Sequence, residues 1–403
     1  MKRTISIITA LALLCGGILL LPGCNWFKKP GVPTTYPFVF VHGLNGFGDD
    51  TESPVSYWGA TAGALLPILQ EQGTMCFAPS GNPMGSAWDR ACELYAALAG
   101  GVVDYGAAHS AAHNHDRFGT DCGEPLFPDW GAVDENNNLR KVNLVGHSFG
   151  GATVRLLSAL LDHGAPEEQA AALDCSPLFT GGKGDWVFSL TCLAAPHNGT
   201  SLLTILDVNP AISKIASFLG SASMDGILSR LGFTWGGMSI GEVLRAAKTQ
   251  DTAYYDLTLT GAKEVNQRTR PLCPDTYYFS YPVAGTDANG KPNGDMATLF
   301  HPLGWLMGSF ISPENGIDDA WRSNDCLVNT ISATYPFEEP NQAVAYPAAL
   351  TAEALKPATW YVLPTIRGDH GSVIGLARSM EATLPLYNEI IQRVDALSRY
   401  VTG

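Results

Sequence analysis

The segment that most restricts how this chain can fold is Gly146-His147-Ser148-Phe149-Gly150-Gly151. It follows the mainly apolar run Val142-Asn143-Leu144-Val145 and precedes a helical pattern over 151–163, in which Val154, Leu156, Leu157, Leu160 and Leu161 recur at helix spacing. A strand that passes into a helix through so few residues must turn sharply, and glycines beside the serine let the two backbones approach. Such a turn holds Ser148 at the end of a strand. There a base can take its proton, and backbone N–H groups can meet the oxyanion formed when it attacks a carbonyl. A glycine-rich turn in any α/β protein is the plain alternative, and the strand-before, helix-after context favours a nucleophile.

Two further short runs, the fully apolar Phe38-Val39-Phe40-Val41 and the mainly apolar Val187-Phe188-Ser189-Leu190, also end at turns. Alternating with helical patterns over 88–99, 151–163 and 381–399, they predict a mostly parallel sheet covered by helices on both faces. With 46% hydrophobic and 15% charged residues the chain can bury a large core. No internal repeat or strong boundary follows residue 37, so one elaborated domain over 37–403 is expected.

The run Phe38–Val41 leads into His42-Gly43-Leu44, which puts a second backbone donor near the nucleophile; the amides of Leu44 and Phe149 are the expected oxyanion hole. His42 reads as a buttress. When the nucleophile sits in such a turn, the acid and then the base follow it in the chain. Of the four histidines after Ser148, His163 ends a helix, His197 lies in Ala195-Pro196-His197, and His301 precedes a proline. His370, in Gly368-Asp369-His370-Gly371-Ser372, is on a late glycine-flanked loop and is the expected base. Asp318, Asp319 and Asp325 compete as the acid, and Asp325 is preferred for its turn beside a short apolar run. Asp369 adjoins His370 too closely in sequence to orient it.

A second cluster lies before the serine: Asp89 in Trp88-Asp89-Arg90, then His109, His113 and His115 with nearby carboxylates. Imidazoles and carboxylates so grouped suit a zinc ion. Spacing alone singles out His109 and His113, four apart on a helix, and a polar histidine-rich loop is the alternative.

Residues 1–23 read as a secretory leader, with Lys2 and Arg3 before the apolar run Ile5–Leu21. Leu21-Pro22-Gly23-Cys24 resembles a lipoprotein box, in which Cys24 would be acylated, and residues 24–36 read as a tether. A secreted or cell-surface protein, anchored at Cys24, is the expectation. The formal charge of −14 becomes −16 when Lys2 and Arg3 leave with the leader. That balance argues against nucleic-acid binding and suits a neutral substrate. Cysteines 76, 92, 122, 175, 192, 273 and 326 are scattered without a C-x-x-C pair, so most are expected as small buried residues.

Taken together these stretches resemble the zinc-containing bacterial true lipases, the group of the thermoalkalophilic bacillus-type and staphylococcal lipases. The resemblance rests on Val41-His42-Gly43, Tyr57-Trp58-Gly59, Trp88 to Tyr95, Val103 to His109, Arg117-Phe118-Gly119 and Gly146 to Gly151. Past the serine it includes Ser176 to Phe179, Ala195-Pro196-His197, Asp251 to Leu257, Ser323-Asn324-Asp325, Val328-Asn329-Thr330 and Asp369-His370. It implies an α/β-hydrolase fold with a helical cap and a zinc-bearing insertion, and a triad of Ser148, Asp325 and His370. It also implies a structural zinc on Asp89, His109, His115 and Asp251, with His113 a bystander. Family members bind calcium partly through acidic residues shortly after the catalytic histidine, but here Ser372 and Ala377 occupy that stretch and no carboxylate follows His370 until Glu381, so calcium is not expected. Cys326 replaces the glycine usual after the triad acid.

The segment 201–250 reads as a cap shorter than in the thermoalkalophilic members. Apolar stripes at Ile212, Ile215 and Leu219 and at Met224, Ile227, Leu228 and Leu231 suggest a lid that turns toward lipid. The resulting expectation is a serine ester hydrolase, a triacylglycerol lipase working at a lipid interface. A phospholipase or polyester hydrolase on the same scaffold, and a non-catalytic lipid-binding lipoprotein, are the alternatives.

Overall fold

The structure, a computed structural model, describes residues 33–208, 238–346 and 350–402. Its strands are β1 (Phe38–Val41), β2 (Cys76–Phe77), β3 (Val102–Asp104), β4 (Phe118–Asp121), β5 (Val142–His147), β6 (Val187–Leu193), β7 (Tyr277–Tyr281), β8 (Val283–Ala284), β9 (Asn341–Ala343), β10 (Trp360–Val362) and β11 (Ile366–Arg367). Seven form the central sheet in the order β2-β1-β5-β6-β7-β10-β9. Every neighbouring pair in it is parallel. β3 and β4 make a separate antiparallel ribbon, and β8 pairs with β11.

A parallel sheet buried on both faces needs apolar residues at successive positions, and β1 supplies them. Phe38 and Phe40 point into one core, with Leu66 and Leu69 of the helix Leu65–Glu71 and Tyr387 and Ile390 of Met380–Thr402. Val39 and Val41 point into the other, with Leu94 and Leu98 of the helix Ala87–Ala99 and Val154 and Leu157 of Gly150–His163. Each fully buried side chain of this size contributes roughly 1.5–3 kcal/mol. The helix Ala87–Ala99 starts where the Ser86 hydroxyl accepts the Asp89 amide at 3.1 Å and stops at Gly100. The three helices and three strands read from the sequence all form, with ends extended by up to three residues.

The loop between β5 and the helix Gly150–His163 is as tight as its glycines suggest. Ser148 sits at a φ of 55°, in the left-handed region. A Cβ on Gly150 would lie 2.2 Å from the Val41 carbonyl oxygen, and one on Gly146 would lie 2.6 Å from the Gly150 backbone.

Two expected boundaries shift. The leader and most of the tether lie outside the described residues, but Thr34 to Tyr36, assigned to the tether, already belong to the domain. Thr34 and Tyr36 are buried, and the Thr35 amide donates to Asp395 at 2.7 Å. The cap predicted over 201–250 loses both ends to the core: Ile205 and Leu206 of the helix Ser201–Val208 and Val243 of Ile240–Ala246 pack there. The lid stripes at 212–231 lie outside the described residues. The seven scattered cysteines are unpaired, five of them buried.

Gly150→Ala should destabilise the protein by about 1–3 kcal/mol through this backbone clash. Urea unfolding checks it: the midpoint should fall at an unchanged slope, and an unmoved midpoint would mean the turn has room to spare.

Candidate active site

Of the three residues expected to act together, Asp325 and His370 pair directly, and His370 stands beside the turn that carries Ser148. Asp325 and His370 are buried, and Ser148 is nearly so, at 9% exposure. His370 Nδ1 lies 2.7 Å from Asp325 Oδ2. The other carboxylate oxygen accepts the amides of Leu327 at 3.0 Å and Val328 at 2.7 Å, which fixes the carboxylate's plane. The His370 amide donates to the Asp325 carbonyl at 2.9 Å, so backbone and side chain hold the pair together. An Nδ1–H donating to Asp325 leaves Nε2 as the basic nitrogen. The ring stands beside the serine turn, its centroid 4.8 Å from that of His147.

Asp369 does not orient the ring. Its carboxylate accepts the amides of Ala297 at 3.0 Å and Gly371 at 3.2 Å and shapes the loop instead. Cys326, at the position after the acid, has a φ of 83°, a conformation that glycine takes without strain.

The oxyanion pair is set by a feature the sequence does not advertise. Arg90 is fully buried, and among the described residues it makes no direct ion pair, the nearby Glu93 acting on it only through its field. Its Nη2 donates to the His42 carbonyl at 2.5 Å and its Nη1 to the Gly43 carbonyl at 3.3 Å. Its guanidinium lies 5.4 Å from the Phe149 ring centroid. Burial brings its pKa down to about 10. His42 is the expected buttress: its Nε2 accepts the Gly81 amide at 3.0 Å, and its Nδ1 then donates to the Gly43 carbonyl at 2.9 Å. Among the described residues neither the Leu44 nor the Phe149 amide donates to a protein acceptor. Both are available to a ligand oxygen beside the uncapped N-terminus of the helix Gly150–His163, whose dipole adds positive charge.

The acidic and histidine cluster also assembles. One donor atom from each of Asp89, His109, His115 and Asp251 can be chosen so that all four lie within 4.8 Å of one another. His109 Nε2 is 3.2 Å from Asp89 and 3.0 Å from Asp251, and His115 Nε2 is 3.4 Å from Asp251. His113, four residues after His109 on the helix Ala107–His113, stays outside the group. Asn114 takes a φ of 59° and reverses the chain, so His115 rather than His113 faces Asp251. His115 Nε2 and Asp251 Oδ1 are buried without a well-formed hydrogen bond, as expected for atoms directed at an ion. Burial pulls the His109 pKa down, but Asp251 and Asp89 outweigh it and raise it to about 9. A metal ion bound there must therefore displace a proton.

Glu168, with no sequence signal, holds this helix in place. Buried sixty residues downstream, its carboxylate accepts the Ala108 amide at 2.8 Å and the His109 amide at 2.7 Å.

The lipase-like C-terminal domain family matches residues 34–383. This chain belongs to that family. A lipase of Staphylococcus hyicus is 36% identical over 84% of the chain, which spans only 53% of that relative's length. The solved S. hyicus lipase superposes with a TM-score of 0.74 and 32% identity, covering 93% of this chain and 100% of that one. EstA of Clostridium botulinum does so with a TM-score of 0.72 and 32% identity, over 92% and 90%. The fold is therefore the expected α/β-hydrolase architecture.

Between His370 and Glu381 the chain carries no side-chain carboxylate. Ser372 Oγ donates to the Asp369 carbonyl at 2.6 Å. The guanidinium of Arg378, next to Ala377, donates to the Arg367 carbonyl at 2.7 Å.

Three histidines of this lipase-like domain are held neutral. Burial, then Arg90, lowers His42 to about 3. Burial, then His370, takes His147 well below 6.5, and burial, then Arg155, does the same for His197. Each pKa is depressed in the folded state, so its contribution to stability is complete above about 6.5 and is lost as the pH falls. Between pH 7 and 5 His42 alone should remove about 2 kcal/mol, and His147 and His197 should add to the loss. Nitrogen NMR should show these imidazoles unprotonated at pH 5, and urea unfolding should show the loss. Titration of these rings near pH 6.5 would contradict the assignment.

Proposed function

We propose that this chain is a serine carboxylic ester hydrolase that acts on acylglycerols. The observation that carries the reading is the convergence of Ser148, His370 and Asp325 beside two unengaged amides. In this mechanism His370 Nε2 takes the Ser148 proton as Oγ attacks the ester carbonyl. The Leu44 and Phe149 N–H groups receive the developing oxyanion, and Asp325 stabilises the imidazolium. His370 returns its proton to the leaving alcohol, and water then enters by the same route to release the acid. The substrate class is drawn from the lipase relatives and from the apolar segments of the cap.

Ser148→Ala should abolish hydrolysis of emulsified triacylglycerol with the fold intact. Asp325→Asn should lower kcat by on the order of 10³–10⁴, because the imidazole loses its tautomer. Undiminished turnover by Ser148→Ala would refute the assignment. Faster wild-type hydrolysis of phospholipid or polyester than of acylglycerol would move the substrate class while leaving the mechanism in place.

The same proposal assigns zinc to Asp89, His109, His115 and Asp251. Two imidazoles and two carboxylates leave no open position, so the ion would be structural, tying the helices Ala87–Ala99 and Ala107–His113 to the Asp251 turn. Purified protein should carry about one zinc per chain, and Asp89→Ala and His109→Ala should lose it. Affinity should weaken as the pH falls, since the imidazoles must shed protons to bind. Full zinc content in both variants would remove the site.

For location, the reading is export, with Cys24 as the lipid anchor. It rests on the basic, apolar and small-residue order of residues 1–24. Metabolic labelling with a fatty acid, lost in Cys24→Ser, tests it.

A further inference from the structure

The two halves of the site come from opposite ends of the chain. The oxyanion hole is built at the end of β1, and the base is on the loop after β11. One buried chain of hydrogen bonds joins them. The Gly43 amide donates to Tyr57 Oη at 2.8 Å. Tyr57 Oη lies 2.6 Å from His147 Nδ1, and His147 Nε2 lies 3.0 Å from the His370 carbonyl oxygen. Tyr57, His147 and His370 are all buried.

The direction of every proton in this chain is determined. An amide can only donate, so Tyr57 Oη accepts from Gly43 and has one proton left to give. The acceptor in reach is His147 Nδ1, which must then be unprotonated. The His370 carbonyl can only accept, so His147 Nε2 must carry the proton. The opposite tautomer would set a bare Nε2 against a carbonyl lone pair and leave the Tyr57 proton without an acceptor. Burial disfavours the doubly protonated ring and keeps His147 in its neutral form.

Both ends of the chain touch groups that matter to the chemistry. The Gly43 carbonyl and the Leu44 N–H belong to one planar peptide, so their directions are locked together. Arg90 and His42 hold the carbonyl side of Gly43, and Tyr57 holds its amide side. The aim of the Leu44 N–H is thereby over-determined. At the other end, His147 immediately precedes Ser148 and grips the backbone of the base. A Cβ on Gly43 would lie 2.9 Å from Tyr57 Oη, so glycine is needed there for the tyrosine to reach the amide.

We infer that Tyr57 is a positioning residue that, by fixing the His147 tautomer, keeps the oxyanion hole and the His370 base in mutual register. The inference rests on the ester-hydrolase reading above. If the wild-type protein neither hydrolyses a soluble p-nitrophenyl ester nor reacts with a phosphonate, that reading fails. If the wild type is active, the outcomes below bear on Tyr57 alone.

Two measurements test it. Nitrogen-15 NMR of the His147 ring in wild-type protein should show the Nε2–H tautomer, with Nδ1 accepting; an Nδ1–H tautomer would overturn the inference without any variant. Tyr57→Phe removes only the hydroxyl. On the soluble ester it should lower kcat roughly 10- to 100-fold, less than the loss of an entire oxyanion donor, with KM within about twofold of wild type. A boronic acid, whose adduct places an oxygen in the oxyanion hole, should bind more weakly by a similar factor. The His147 signals should shift toward the other tautomer. A kcat within about twofold of wild type, or a loss confined to KM with boronate binding unchanged, would overturn the inference.

Discussion

Everything at this site depends on the close approach of two backbones, at the turn where β5 becomes the helix Gly150–His163. Gly150 presses against the β1 carbonyls, and that contact forces Ser148 into the left-handed region. Strain of this kind costs about 1–3 kcal/mol and persists only where its surroundings over-determine it. Here they do, with β1 on one side, β6 on the other and apolar cores on both faces of the sheet. The result is a serine held at the strand end, in the turn that precedes the helix Gly150–His163.

Around that turn the protein keeps its charges few and buried. Arg90 carries a guanidinium into the core, where it meets carbonyls and aromatic rings and feels the field of Glu93, and His42, His147 and His197 stay neutral beside it or beside Arg155 and His370. Two of these neutral rings, His42 and His147, serve as directional connectors, each accepting on one nitrogen and donating on the other. Under the proposed mechanism this arrangement pre-orients the dipoles where negative charge would develop, leaving little reorganisation for the reaction itself. The group of Asp89, His109, His115 and Asp251 is a second assembly. It joins residues far apart in the chain, Asp89 and Asp251, with Glu168 steadying the helix between them.

What the sequence discloses, and what it hides, follows the range of each interaction. Ser148, His370 and Asp325 are legible because local turn chemistry and chain order restrict the choices. The runs at 38–41, 142–145 and 187–190 are legible because a strand buried on both faces must be apolar. β9 is not, since Asn341–Ala343 is a three-residue, exposed and polar strand that leaves no periodic trace. Arg90, Tyr57 and Glu168 are hidden for another reason: nothing near them in sequence indicates which backbone groups they will meet after folding. The group of Asp89, His109, His115 and Asp251 falls between these cases. Spacing favours His113, and the reversal at Asn114, visible only in three dimensions, gives the place to His115. Thr34 to Tyr36 look like linker because of their composition, yet they pack because Tyr36 reaches the core.

The central claim is that this fold makes one serine, Ser148, a nucleophile. Treating the wild-type protein with a fluorophosphonate and mapping the adduct by peptide mass spectrometry tests it most directly. The account predicts a single modification on the peptide that contains Ser148, blocked by prior acylation with an ester substrate. An adduct on any other serine, or no reaction with folded protein, would contradict it.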